Sequence, residues 1–206
     1  MPKPTFFNLK EEKRRTLIAA AKSEFSRVSL YEASIANILN EAGIPRGSFY
    51  QYFEDKEDAF YYLLNEHAKE RYEHFIAHLK HHDGDLFKAM ADMFQSVLEY
   101  SHDRGQSNFI RNVVLNMNYK IENTFTRFLS EGTFSNHYDD LFQLVDIEHL
   151  NISDQDALYH VLQIVTAVMF HNLVHSLSKE LTIEEAMKKY RVELDLLKTG
   201  LAKSST

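Results

Sequence analysis

Residues Asn40 to Lys56 read NEAGIPRGSFYQYFEDK. Gly43 suits the left-handed backbone that ends a helix, and Pro45, with no N–H to lose, suits the first turn of the next one. Counted from Pro45, Phe49 and Phe53 fall on one helical face at i and i+4. Arg46, Ser48, Gln51 and Tyr52 point elsewhere, with Tyr50 at the margin. A short helix pinned by two inward aromatic rings, with hydrogen-bonding side chains outward, is shaped for insertion into a partner. The major groove of DNA admits a helix, and these side chains can bond base edges and phosphates. The stretch is therefore expected to be a recognition helix behind a tight turn.

The composition around it bounds the fold. The chain has 206 residues, enough for a sizeable core, and its 44% hydrophobic and 26% charged residues are ordinary for a globular protein. Only 6 Gly and 3 Pro are present, so little punctuates strands, and long helices follow. The expected class is all-α: an N-terminal three-helix helix-turn-helix domain and a C-terminal helical domain. The chain has no Cys, which excludes disulfides and thiolate metal sites. Apolar runs fall far short of the ~18 residues of a membrane span, and the first residues carry no signal-peptide core. A cytoplasmic protein without membrane contact is expected. The net charge is −7, but it is unevenly spread. Met1–Lys56 holds nine Lys/Arg against seven Asp/Glu, while the remainder carries 14 against 23. A mildly basic end on an acidic body fits a protein that meets phosphate with one end only.

A first helix is expected over about Lys10 to Val28, with Leu17, Ala20, Ala21, Phe25 and Val28 at helical spacing. Lys10, Lys13, Arg14 and Arg15 crowd its start, where they oppose the helix dipole; phosphate contact or simple solvation would explain them. Residues 1–9 are expected as a flexible arm. A second helix, from about Glu32 to Ala42, turns Ile35, Ile38 and Leu39 inward, with Ser34 near its start to cap it or reach a phosphate.

These residues together carry a resemblance. Leu17-Ile18-x-Ala20-Ala21-x-x-x-Phe25, Ile38 through Ala42-Gly43-Ile44, and Arg46-Gly47-Ser48-Phe49-Tyr50-x-Tyr52-Phe53-x-x-Lys56-Glu57 resemble the N-terminal DNA-binding domain of TetR/AcrR-type repressors. The resemblance covers roughly residues 10–60. It implies a DNA face made of Arg46, Gly47, Ser48, Tyr50, Gln51 and Tyr52, with Ser34 and Lys56 clamping backbone phosphates. Three positions depart from the family pattern: Ser29 replaces the usual Gly, Ala33 the usual Thr, and Pro45 a frequent Ser. The domain expected on this basis spans 10–56, followed by a ligand-binding and dimerisation domain over 57–206.

The second part reads as further helices. One from about Asp55 to His82 carries Phe60, Leu64, Ala68, Phe75 and Leu79 as its apolar stripe and His67, His74, His78 and His81 beside it. Paired i,i+4 histidines can bind zinc or copper, but no carboxylate or Cys partner is identifiable in the sequence, so no metal and no cofactor are expected. Ser153-Asp-Gln-Asp156 and the capping box Thr182-Ile-Glu-Glu185 open two last helices. The final one spaces Ile183, Met187, Tyr190, Leu194, Leu197 and Leu201 as a heptad seam for near-parallel packing, within the chain or in a dimer. A homodimer through the two C-terminal helices is favoured, and the resemblance implies one. It also implies a small-molecule cavity. Met90, Met93, Phe94, Phe109, Val113, Phe125, Phe128 and Met169 are its candidate apolar lining. Asn112, Asn116 and His160 are candidate polar groups that would orient an apolar or amphipathic ligand.

No G-x-S-x-G, H-E-x-x-H, Walker A or G-x-G-x-x-G occurs, and there is no Cys nucleophile, so an enzyme is not expected. Two functions stay open. One is a ligand-responsive transcriptional regulator, a repressor, binding a palindromic operator as a homodimer. The other is an α-helical adaptor that uses the helix-turn-helix for protein contacts.

Overall fold

The computed structural model describes residues 1–102, 108–116, 120–121, 137–152 and 154–201, and every regular element among them is helical. In chain order these are α1 (Pro4–Phe7), α2 (Glu11–Arg27), α3 (Ile35–Ala42), a 3-10 turn Arg46–Ser48 running into α4 (Phe49–Tyr52), and α5 (Lys56–His81). Then come α6 (Leu86–His102), α7 (Asn108–Leu115), α8 (His137–Leu144), a 3-10 turn Ile147–His149, α9 (Gln155–Lys179) and α10 (Ile183–Leu201). The all-α expectation is borne out. The chain forms two compact units: Met1–His67 with Asp103–Met117, and Ala68–His102 with Asn118–Thr206.

In the first unit α2 buries Leu17, Ala20, Ala21 and Phe25, the stripe its spacing predicts. The start of α3 is held differently from expectation. Ser34 occupies its N-cap with extended backbone, but its hydroxyl makes no capping bond. Glu24 of α2 does that work: its Oε1 accepts the Ser34 N–H at 2.8 Å and the Asn37 amide at 3.1 Å, and its Oε2 takes Arg27 Nη2 at 2.8 Å. Helix α3 begins at Ile35 rather than Glu32, because Ser29 to Ala33 close a turn in which Ala33 N–H reaches Ser29 O at 3.0 Å. It ends as predicted at Gly43, with φ +65°. The Gly43 N–H returns to Asn40 O, and the Ile44 N–H to Leu39 O at 3.0 Å, the pairing of a Schellman stop.

Two segments of this unit correct the sequence reading. Residues 1–9 were expected as a free arm, yet Phe6 is fully buried, its ring 5.1 Å from both Phe53 and Tyr62. Burial of an apolar ring against two others is reason enough for the segment to dock. Helix α7 was expected to line a ligand cavity with Phe109, Asn112, Val113 and Asn116. It belongs instead to the first unit, where Phe109, Ile110, Val113 and Val114 are buried and Phe109 lies 5.7 Å from Phe60. Asn112 spends both amide hydrogens on the carbonyls that α2 leaves unpaired at its end, Phe25 O at 2.9 Å and Val28 O at 2.6 Å. Its Oδ1 accepts from Asn116 Nδ2 at 2.8 Å, so the Asn112 amide is spent within this unit.

The second unit begins within α5, whose Ala68, Phe75 and Leu79 are buried as the stripe predicts. Helix α5 stops at Asp83 and Gly84, with φ +51° and +84°. A Cβ on Gly84 would lie 2.5 Å from Leu144 O, and Gly84 O accepts the Asp146 N–H, so only glycine fits both the backbone and the close approach. Helix α9 is capped by Asp154, whose carboxylate accepts the Ala157 N–H at 2.8 Å; the expected Ser153 lies outside the described residues. Helix α10 opens on the predicted capping box, Thr182 N–H to Glu185 Oε2 at 2.9 Å and Glu185 N–H to Thr182 Oγ1 at 3.2 Å. The α10 seam is spent inside the chain. Met187, Tyr190 and Leu194 are buried where α10 packs on α6 and α9, with the Tyr190 ring 4.2 Å from Phe94. The seam's heptad spacing fits a neighbour in the same chain as well as one in another, and the local neighbours win.

Glu24 carries a stability consequence. Burial alone would raise its carboxyl, but the bonds from Ser34 N–H, Arg27 and Asn37 and the Arg27 charge hold it below its ordinary value of 4.5. A lowered folded value means the contribution is complete above that pH and is lost as pH falls through the folded value. Glu24→Gln is expected to cost about 1–3 kcal/mol at neutral pH and to flatten the acid limb of stability below pH 4.5. Urea titrations of both proteins across that range check it; parallel acid limbs would deny the Glu24 bridge.

Candidate DNA-binding surface

Recognition requires a helix held firmly from behind and open in front. Phe49 and Phe53 are fully buried, with ring centroids 5.4 Å apart, so the back is pinned as their i,i+4 spacing predicts. Pro45 sits one position earlier than expected, in the N-cap, and the helix opens with a 3-10 turn before four α-helical residues. In front, Arg46, Gly47, Tyr50 and Gln51 are exposed, Tyr50 by 55%, while Ser48 and Tyr52 are half-buried. Six predicted residues are thus brought together on one short element. Gly47 adds a specific observation: a Cβ there would meet nothing of the chain within 4 Å. Nothing in the fold itself demands glycine at that point.

The two expected phosphate clamps differ from the helix. Ser34 is half-buried at the start of α3 with its hydroxyl unused for capping. Lys56 turns inward: its Nζ donates to Tyr31 O at 2.6 Å and Ala33 O at 3.0 Å, tying down the turn between α2 and α3. Two of its three N–H donors are thereby occupied, and its contribution is first of all to the shape of that turn. Lys10, Lys13 and Arg15 stand exposed at the start of α2 with Arg14 half-buried.

The expected effector residues are divided. Met90, Met93, Phe94 and Met169 are buried in the second unit, whereas His160 is exposed on α9, beside Gln163. Phe125 and Phe128 lie outside the described residues. The sequence reading passed over Thr166 Oγ1, Ser176 Oγ and Tyr190 OH, which are buried in this unit without a hydrogen-bond partner. Burial, with Glu193 beside it, pushes the Tyr190 hydroxyl up, so it stays neutral. Thr166 interrupts the apolar run from Val161 to Phe170 on α9, a signal that was legible. His78 and His82 face Asp92, the latter at 2.7 Å, and burial lowers His78 despite that carboxylate. Among the described residues no group of three His, Cys, Asp or Glu is set to hold a metal ion.

Comparison with known proteins places this geometry. The profile described as "Bacterial regulatory proteins, tetR family" matches residues 17–61, and that described as "Tetracyclin repressor-like, C-terminal domain" matches 85–201. The chain belongs to the TetR family. Its N-terminal stretch is 38% identical over 61 residues to an uncharacterised HTH-type transcriptional regulator, YdgC of Bacillus subtilis, covering 29% of this chain and 31% of that protein. It is 41% identical over 56 residues to the HTH-type transcriptional regulator HbdR of an Aromatoleum species, covering 27% of this chain and 24% of that one. The chain thus spans less than a third of either relative's length. Its fold is similar to that of SmeT, the repressor of a Stenotrophomonas maltophilia multidrug efflux pump, with TM-score 0.67 at 14% identity over 93% and 91% of the two chains. The matched TetR regions leave out the first residues, where Phe6 docks, and take in most of α5 through neither profile.

For a DNA-facing TetR surface, Arg46→Ala is expected to cost about 1–3 kcal/mol of operator binding if the guanidinium reads a base. Gly47→Ala, which meets no atom of the chain, should leave the melting temperature unchanged and still weaken the operator complex. Anisotropy titrations beside thermal melts check both. Wild-type binding by the two variants would mean that no partner approaches this helix.

Proposed function

We propose that this TetR-family protein is a ligand-responsive transcriptional repressor that binds a palindromic operator as a homodimer and is released by a small apolar or amphipathic ligand. The observation that carries the DNA half is the recognition helix, pinned by Phe49 and Phe53 and open at Arg46, Gly47, Tyr50 and Gln51. With DNA as partner, the protein works in the cytoplasm. Among the described residues nothing on the surface favours the adaptor reading.

Dimerisation falls to a different face from the heptad seam. Helix α9 is apolar enough by composition to cross a membrane, and 44% of its most apolar window is buried within the chain. Ile164, Ala167 and His171 stay exposed on it, and on α10 Val192 and Leu196 are exposed by 57% and 70%. A second copy would cover these residues, through the same two C-terminal helices that the sequence favoured. Two half-sites about one helical turn or more apart need such a pairing.

The ligand half rests on Met90, Met93, Phe94 and Met169, a soft apolar cluster in one unit, with the unpartnered Thr166, Ser176 and Tyr190 hydroxyls in the same unit. Helix α5 contributes residues to both units, and its 26 residues run for about 39 Å at 1.5 Å per residue. A ligand that binds one state of the protein better than the operator-bound state shifts the balance by that difference alone.

Leu196→Glu is expected to leave the helical circular-dichroism signal intact, to sediment as a monomer, and to bind operator more than about tenfold more weakly. Leu194→Glu, buried at 4% exposure, should instead unfold the C-terminal unit. A dimeric Leu196→Glu protein would move the interface elsewhere, and a monomeric wild type would remove the dimer. Ligand action is checked by titrating small hydrophobic compounds against free protein and operator complex. Reciprocity requires the inducer to bind the complex more weakly by the factor with which it weakens operator, and equal affinities would exclude that compound.

A further inference from the structure

A helix of three 3-10 and four α-helical residues does not hold its shape in water. Its last carbonyls have no partner further along the same helix, because Phe53 is already extended at φ −127°. Three of them are met from the start of the chain. Lys3 Nζ donates to Tyr50 O at 2.8 Å, the Thr5 hydroxyl to Gln51 O, and the Lys3 N–H to Tyr52 O at 2.8 Å. Every carbonyl from Tyr50 to Tyr52 is therefore capped by a segment more than forty residues away in sequence. The cation of Lys3 also sits at the negative end of the helix, where a positive charge is favoured. Phe6 anchors the segment by filling the space against Phe53, the residue that ends the same helix, and Tyr62 of α5.

We infer that Lys3, Thr5 and Phe6 form a detached C-terminal cap that positions the recognition helix for its operator. The inference rests on the DNA-facing reading of Arg46 to Tyr52 and adds to it a set of positioning residues that need not touch DNA. The cap holds the carbonyl end of the helix, while Phe49 and Phe53 hold its back. With both in place, Arg46, Tyr50 and Gln51 are presented in one arrangement. Without the cap, the last turn frays and those side chains must be ordered on DNA at a cost in affinity. Base readout depends on side-chain placement, whereas non-specific binding is carried by charge. Loss of the cap should therefore reduce discrimination between sequences, not the general attraction to DNA.

The test uses the full-length protein, a duplex enriched by the wild type from a random pool, and a scrambled duplex of equal length. Thr5→Val keeps the side-chain shape and the charge and removes only the hydroxyl. It is expected to lose about fivefold in affinity for the enriched duplex, the scale of one hydrogen bond, with scrambled binding and salt slope unchanged. Amide exchange at Gln51, Tyr52 and Phe53 should speed up while the melting temperature of the whole protein holds. Lys3→Met should behave alike and more strongly. If Lys3→Met weakens both duplexes equally and reduces the salt slope by about one, Lys3 contacts phosphate and the positioning role is overturned. Variants indistinguishable from a wild type that does enrich a duplex overturn this inference alone. A wild type that enriches none overturns the DNA-facing reading along with it.

Discussion

A helix as short as α4 is held almost entirely by what surrounds it, and that dependence organises the N-terminal unit. Phe49 and Phe53 supply the buried back, and the rings of Phe6 and Tyr62 close around Phe53. The tight stop at Gly43 fixes where the preceding helix ends, and Lys56 fixes the turn before it by bonding Tyr31 O and Ala33 O. Each of these groups limits where Arg46, Tyr50 and Gln51 can be. Rigid presentation of this kind matters because direct readout needs bidentate geometry, not proximity alone.

Helix termini are the other recurring demand. Each leaves unpaired backbone groups, and at three of these ends the chain meets them with side chains from another element. Glu24 serves the start of α3, Asn112 the end of α2, and Lys3 with Thr5 the end of α4. Asn112 is the most consequential of these, because it draws α7 into the N-terminal unit from more than eighty residues along the chain. A side chain that would suit a ligand pocket by residue type is consumed by carbonyls instead.

The C-terminal unit shows a choice between two apolar faces of one helix. Tyr190 and Leu194 face α6 and α9, and Val192 and Leu196 are left outside. Helical periodicity separates the two sets clearly but carries no sign saying which is inner. The inner set is the heptad seam because α6 and α9 offer it Phe94 and a long apolar flank within the same chain.

By itself the sequence determined the helical class, the Gly43 stop, the pinning of Phe49 and Phe53, the α5 stripe and the Thr182–Glu185 box. These follow from spacing within a few residues, where backbone geometry dictates which side chains meet. It also carried the resemblance that the matched TetR profiles bear out. Only the tertiary structure decided that Glu24 rather than Ser34 caps α3, that Lys56 folds inward, that residues 1–9 dock, and that Asn112 binds α2. Each of those is a contact between one polar or aromatic side chain and a backbone or ring of another element. Residue type shows only that such a group needs a partner, and the folded chain chooses which one.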